Sequence, residues 1–375
     1  MREAGDRHRP EATDVRPPRL DPALLAHLPP EVALRPARVS RADRGACDVL
    51  VAEELRPPAP QRTAWRTVRA SWGSAVLAAT ATDPEAAPVT GDWVVLGDWP
   101  DARTTLEAVL PRGPSVTRAQ VGRGSSHRQV LAANVDVVAV VEGMAPDPDP
   151  GRLERLLALA WSSGAVPAVV LTKADLVADP AALVAEVGSL TPGCAVLPVA
   201  APSGQGVDAV RDLAAGGGTV ALVGASGVGK STLLNALVGA EAMRTRELRL
   251  DGKGRHTTVT RELYLMPDRG AVIDTPGLRS VGLVGAENLD DVFADIEQLA
   301  EACRFADCAH GVEPGCAVLA AVDAGQLSRR RLDSYRRLQR EARYQAARTD
   351  ARLRAERVAR WKAVQKAARA RGFRP

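Results

Sequence analysis

The stretch "LVGASGVGKST", Leu222 to Thr232, decides the fold. Its glycines at 224, 227 and 229 let backbone N–H groups turn toward phosphate oxygens, Lys230 reaches terminal phosphates, and Ser231 offers magnesium a hydroxyl. The apolar "TVALV" before it reads as a strand and "KSTLLNALVG" after it as a helix, the context that makes a glycine-rich stretch a phosphate loop. Gly224, Ala225, Ser226, Gly227, Val228, Gly229, Lys230, Ser231 and Thr232 are therefore expected to contact a nucleotide.

Downstream, "DTPG" (Asp274 to Gly277) ends an apolar strand 44 residues past Lys230. There Asp274 can hold magnesium through water, and the N–H of Gly277 can sense a terminal phosphate. Between the two motifs lies "GRHTT", Gly254 to Thr258, where either threonine can supply a second magnesium hydroxyl; Thr258 is favoured because it sits nearest the following strand. His256 has two readings, a group that polarises attacking water or a surface loop residue. Leu278 stands where Ras-like enzymes place the glutamine that orients water. A leucine cannot make that bond, so slow intrinsic hydrolysis is predicted, with the missing group coming from His256 or a partner.

A base-reading segment of the form [NT]-K-x-D is absent downstream: after Lys230 only Lys253, Lys362 and Lys366 remain, none with Asp two residues on. It occurs upstream as "LTKAD", Leu171 to Asp175. Asp175 can accept hydrogen bonds from guanine N1–H and the 2-amino group, which adenine lacks, while Lys173 packs along the base and Thr172 occupies the first position. A further strand and loop, "VLPVAAPSG", makes Ala200 and Ala201 candidates for a backbone N–H to the guanine oxygen. Reversed order is permissible because such a site is built where parallel strands end, and neighbours in space need not be consecutive in sequence.

At 375 residues the chain can bury two or three cores. No run approaches the roughly 18 apolar residues of a membrane span, and the amino end has no signal-like apolar core, so a cytoplasmic protein without a membrane partner is expected. The formal charge of +4 divides unevenly: Ser328 to Pro375 holds 17 Lys plus Arg against 4 Asp plus Glu, or +13, leaving −9 for the rest. A basic tail on an acidic body fits a polyanionic partner, or a solvated helix. Three of the five cysteines cluster in "CRFADCAHGVEPGC": Cys303, Cys308, His310 and Cys316 can close a tetrahedral structural zinc site, whereas Cys47 and Cys194 read as ordinary buried residues.

The periodicities divide the chain into a Pro/Arg-rich tail (1–37), short strands of a small antiparallel barrel (38–112), a largely parallel sheet with helices on both faces (113–285), and a zinc-binding region with a basic helical tail (286–375). "AWRTVRASWGSAVLAAT" counts among the barrel's strand candidates, and "RAQVGRGSSHRQV" reads as a polar link.

Base reader, "GASGVGKS", "GRHTT", "DTPG" and the Cys/His cluster, in that order and supported by "AANVD" (132–136), resemble the circularly permuted GTPases of the RsgA (YjeQ) family. The resemblance runs from about Arg38 to the basic tail. It implies an oligonucleotide-binding barrel, a permuted α/β P-loop GTPase domain and an α-helical zinc domain. It also implies GTP, Mg2+ and one structural Zn2+, and the small ribosomal subunit with its rRNA as partner. Family members act late in maturation of that subunit, bind near its decoding region and hydrolyse GTP faster on it; a monomer is expected. The histidine at 256 is a proposed catalytic group in the family, acting with Lys230. Thr172 replaces the usual Asn, which weakens guanine binding; Ala200 replaces a Ser; and Gly227 replaces the Asn of potassium-activated enzymes. The rival reading is a non-catalytic, GTP-binding rRNA-binding module.

Overall fold

The computed structural model describes residues 32–53, 64–121, 126–239, 261–267, 270–275 and 289–349. Strands β1 (Ala33–Asp43), β2 (Ala46–Glu53), β3 (Ala64–Trp72), β4 (Trp93–Asp98) and β5 (Thr104–Val109) close into a barrel in the order β1-β2-β3-β5-β4. Closure rests on two non-consecutive pairings, antiparallel β1 with β4 and a short parallel contact of Ser71 and Trp72 with Thr105 and Leu106. No edge is then left to recruit a foreign strand. Inward-facing Ala37, Val39, Val49, Val51, Val94, Leu96 and Leu106 fill the interior.

Three sequence expectations shift. β1 begins at Ala33, ahead of Arg38. "AWRTVRASWGSAVLAAT" is strand only to Trp72; the Ala-rich remainder lacks alternation, favours helix, and forms α1 (Ser74–Thr82), whose Val76 plugs into the barrel core. The polar link is a hairpin, β6 (Ser115–Val121) with β7 (Ser126–Ala133). Its polar residues masked the alternation, but Val116, Leu131 and Ala132 at its base are fully buried.

Beyond the hairpin, β8 (Val137–Gly143), β9 (Val166–Thr172), β10 (Ala195–Val199), β11 (Thr219–Val223), β12 (Glu262–Met266) and β13 (Gly270–Asp274) form one sheet in the order β10-β9-β8-β11-β13-β12. All pairings are parallel except β12 with β13. The apolar runs alternate between two cores: Val138, Val140, Val169, Leu171, Ala221 and Val223 face α2 (Pro150–Trp161), while Val137, Ala139, Val141, Val170, Val220 and Leu222 face α4 (Val207–Asp212) and α5 (Lys230–Val238). Asp-Pro pairs start α2 and α3 (Pro180–Leu190). Asp149 accepts the N–H groups of Gly151 and Arg152, Asp179 accepts that of Ala182, and the prolines need no partner at the first helical position.

The carboxyl part comprises α6 (Leu289–Val292), α7 (Ala294–Ala300), α8 (Ala317–Asp323) and the long α9 (Arg329–Thr349). Leu332, Tyr335, Leu338 and Ala342, at helical spacing, bury one stripe of α9 in the same core as α2. Its arginines are not all solvated. Arg331 is 4% exposed, paired through Nε and Nη2 with Asp295 at 2.6 and 2.8 Å and through Nη1 with fully buried Glu154 of α2 at 3.0 Å; Arg330 forks onto the same carboxylate. Among the described residues no helix is long and apolar enough to cross a membrane.

The barrel joins the sheet through a buried arginine. Arg38 donates from Nε to Gly91 O (3.1 Å) and from Nη2 to Asn134 O (2.9 Å), and lies 5.0 Å from the centre of the Trp93 ring. Asn134, in the "AANVD" stretch, adopts a left-handed φ of 54° and bonds Gly91 O and Gly113 N–H.

Candidate nucleotide site and metal centre

Because β9, β8, β11 and β13 are parallel neighbours, the segments after their carboxyl ends meet along one rim. "LTKAD" follows β9, Glu142 and Gly143 end β8, the glycine-rich loop follows β11, and Asp274 ends β13. Motifs distant and reversed in sequence are thus brought side by side.

Backbone approach explains the loop's glycines. A Cβ on Gly224 would lie 2.4 Å from Val141 O, and one on Gly229, at φ +97°, 2.9 Å from Thr172 Oγ1. Gly229 caps α5, so Ser231 and Thr232 expose their hydroxyls in the first turn, at the positive end of the helix dipole. Lys230 is buried inside the loop, its ammonium donating to Gly224 O (2.8 Å) and Ala225 O (2.5 Å). Burial pushes its pKa down while the carboxylates of Asp274 and Glu142 pull it up, so the site keeps negative charge facing the lysine. Ser231 and Asp274 provide the hydroxyl and carboxylate oxygens that suit magnesium.

On the base side, Asp175 is exposed in a one-turn 3-10 helix after β9. Lys173, at a left-handed φ of 61°, extends over Gly143 and donates to Ala145 O at 2.9 Å. Thr172 is buried and does not face the rim: its hydroxyl is shared between Val228 O in the phosphate loop and Glu142 O at 3.2 Å. Ala200 and Ala201 follow β10; the Ala200 N–H is committed to Gln205 O at 3.0 Å.

In the second cluster the ligand atoms of Cys303, Cys308, His310 and Cys316 all lie within 4.8 Å of one another. Cys303 Sγ is 3.8 Å from Cys316 Sγ and 3.7 Å from His310 Nδ1, and Cys316 Sγ is 3.5 Å from that nitrogen. A tetrahedron with zinc–sulfur bonds of about 2.3 Å has edges of about 3.8 Å, so donor type and spacing both fit zinc. Burial lowers the pKa of His310, favouring the neutral imidazole that a metal requires. Cys47 is buried and Cys194 half-buried away from this cluster, each thiol pushed up to about 11 by burial.

Among known proteins, the family model described as RsgA GTPase matches residues 109–284. "Small ribosomal subunit biogenesis GTPase RsgA" of Streptomyces coelicolor is 49% identical over 321 residues, spanning 84% of this chain and 82% of that one. This chain belongs to the RsgA GTPase family. A like-named relative in Methanosarcina acetivorans is 44% identical over 262 residues, 69% of this chain and 71% of its own length. Solved structures of YjeQ from Thermotoga maritima and of YloQ, a circularly permuted GTPase, share the fold. Their TM-scores are 0.57 and 0.55 at 23% and 22% identity, covering 83% and 84% of this chain and 99% and 97% of theirs.

As a member of the RsgA GTPase family, the chain carries site features that sequence motifs do not flag. Glu142 is fully buried at the rim and held by Arg152 through two bonds of 2.6 Å. Its position at the end of the apolar run "VDVVAVVEG" was the available signal. Thr275 is fully buried, its hydroxyl donating to Leu222 O at 2.7 Å, which ties "DTPG" to the strand before the phosphate loop. His256, Thr258, Gly277 and Leu278 lie outside the described residues.

Proposed function

We propose that this protein hydrolyses GTP as an assembly factor for the small ribosomal subunit, stimulated by that subunit and released from it after hydrolysis. The supporting observation is the convergence of "LTKAD", the phosphate loop and Asp274 on one rim in a chain 49% identical to a named small-subunit biogenesis GTPase. In this reading the protein works as a cytoplasmic monomer whose barrel and basic carboxyl tail bind rRNA.

Each group then has a distinct task. Backbone N–H groups of Gly224, Ala225, Ser226, Gly227, Val228 and Gly229, with Ser231 and Thr232 at the start of α5, cradle the phosphates, and Lys230 exchanges its loop carbonyls for phosphate oxygens. Asp175 accepts the guanine N1–H and 2-amino hydrogens, Lys173 lies along the base, and Thr172 fixes β9 to the phosphate loop. Of the two alanines, Ala201 is the one proposed to donate its N–H to the guanine oxygen, since that of Ala200 is spent on Gln205. Ser231, Thr258 and Asp274 hold magnesium, which when bound offsets the negative charge of the phosphates. Gly277 senses the terminal phosphate, and His256 orients water in place of the glutamine that Leu278 cannot imitate. Cys303, Cys308, His310 and Cys316 hold one structural zinc.

The test is phosphate release from GTP by the purified protein, alone and with isolated small or large subunits. Stimulation by the small subunit and its loss in His256→Ala, with nucleotide binding retained, is expected. Equal low turnover in all three conditions would replace this reading with a non-catalytic GTP-binding module, and tight ATP competition would sink the guanine assignment.

A further inference from the structure

A divalent ion held by three thiolates and a neutral imidazole carries one net negative charge. Cys316 and His310 are buried, and a charge removed from water requires a partner. The nearby carboxylates have the wrong sign and are already occupied. Glu313 accepts the N–H groups of Ala309, Gly311 and Val312, and Glu297 accepts the Tyr335 hydroxyl at 2.6 Å.

The cation whose charge reaches His310 is Arg336. It follows Tyr335, whose ring centre lies 6.4 Å from that of His310. The Arg336 side chain is 21% exposed, yet its Nε and Nη2 are buried without a hydrogen-bond partner among the described residues, and its ion pair to exposed Asp333 is long at 3.5 Å. On the same helix Arg331, two turns of chain direction earlier, has all its nitrogens bonded. Unmet guanidinium donors inside a protein are costly, so an arginine at this place needs an anion. The adjoining cluster, once loaded, is one.

We propose that Arg336 is the counter-ion of the metal-loaded Cys3His centre, so that metal loading seats α9 against the cysteine loop. The proposal rests on the zinc reading of that cluster. It makes the metal more than a local clip: α9 carries the Arg330 and Arg331 contacts to α2 and leads into the basic tail, so their placement becomes metal-dependent.

The experiment uses the full chain as wild type, Arg336→Lys and Arg336→Met. Zinc affinity is measured by competition with a chromophoric chelator, and melting temperature is measured with zinc and with excess chelator. Arg336→Met should bind zinc about tenfold more weakly, as loss of an outer-shell partner does, with Arg336→Lys recovering most of the difference. Its melting temperature should fall below wild type with zinc and match wild type in chelator. Equal zinc affinity in all three proteins, or an equal loss of stability with and without zinc, would overturn the proposal while leaving the zinc site standing. A wild type that binds no stoichiometric zinc would overturn both.

Discussion

Thr172 shows how one atom can serve two motifs. Its hydroxyl joins the base-reading strand to the phosphate loop at Val228, a link made from within the core and not by touching a ligand. Thr172→Val keeps the shape and leaves the Val228 carbonyl unmet, a loss of about 1 to 3 kcal/mol. GTP and GDP affinity, read by a fluorescent guanine nucleotide, should weaken about tenfold with little change in the maximal rate of hydrolysis. Unchanged affinity would show that the link is decorative. Cys47 is a second residue with a readable consequence. Burial raises its thiol from 9.0 to about 11, with the Trp72 indole N–H bonded to sulfur at 3.4 Å and pulling the other way. The unfolded chain gives up that proton across the window from pH 9 to 11 while the barrel keeps it, so stability falls as pH rises there, by up to roughly 2 to 3 kcal/mol. Urea melts at pH 8 and 10.5 should reveal the slope, and Cys47→Ala should flatten it.

Among the elements, α2 and α9 are fastened by charge in an apolar setting. Glu154 is fully buried between Arg330 and Arg331. Glu154→Ala leaves Arg331 with buried charge no longer balanced from α2 and should cost about 3 to 5 kcal/mol, measured by denaturant unfolding. A loss under about 1 kcal/mol would mean that Asp295 compensates alone. Legibility also divides by element. Apolar runs such as "VDVVAVVEG" announce parallel strands because burial on both faces leaves no polar position, and the phosphate loop announces itself through glycines that packing makes obligatory at 224 and 229. The hairpin of β6 and β7 was hidden because one face meets solvent, and α1 because a helix of Ala and Thr carries little contrast. Glu154 and Arg331 look like surface charges in sequence; only tertiary packing makes them interior ones.

For the whole molecule, the joint between barrel and sheet is polar and narrow. Arg38 bridges Gly91 and Asn134, and Thr90 donates to Arg261 O at 3.2 Å, just before β12. Arg38→Met keeps the stem and removes the bonds, leaving two carbonyls short of a donor. Calorimetry should then resolve separate transitions for barrel and sheet domain where the wild type melts as one, and a single transition at the wild-type temperature would show that the apolar contacts of Leu50 and Trp65 suffice. The strand order has a further consequence during translation. Chains emerge at about 5 to 20 residues per second, and β8, β9 and β10 leave the exit tunnel before β11 exists. The base-side half therefore has the opportunity to collapse first as a three-stranded nucleus around α2, and the phosphate-side half docks onto its open β8 flank. An unpermuted chain would be born in the opposite sense, with its anion-holding end synthesised first.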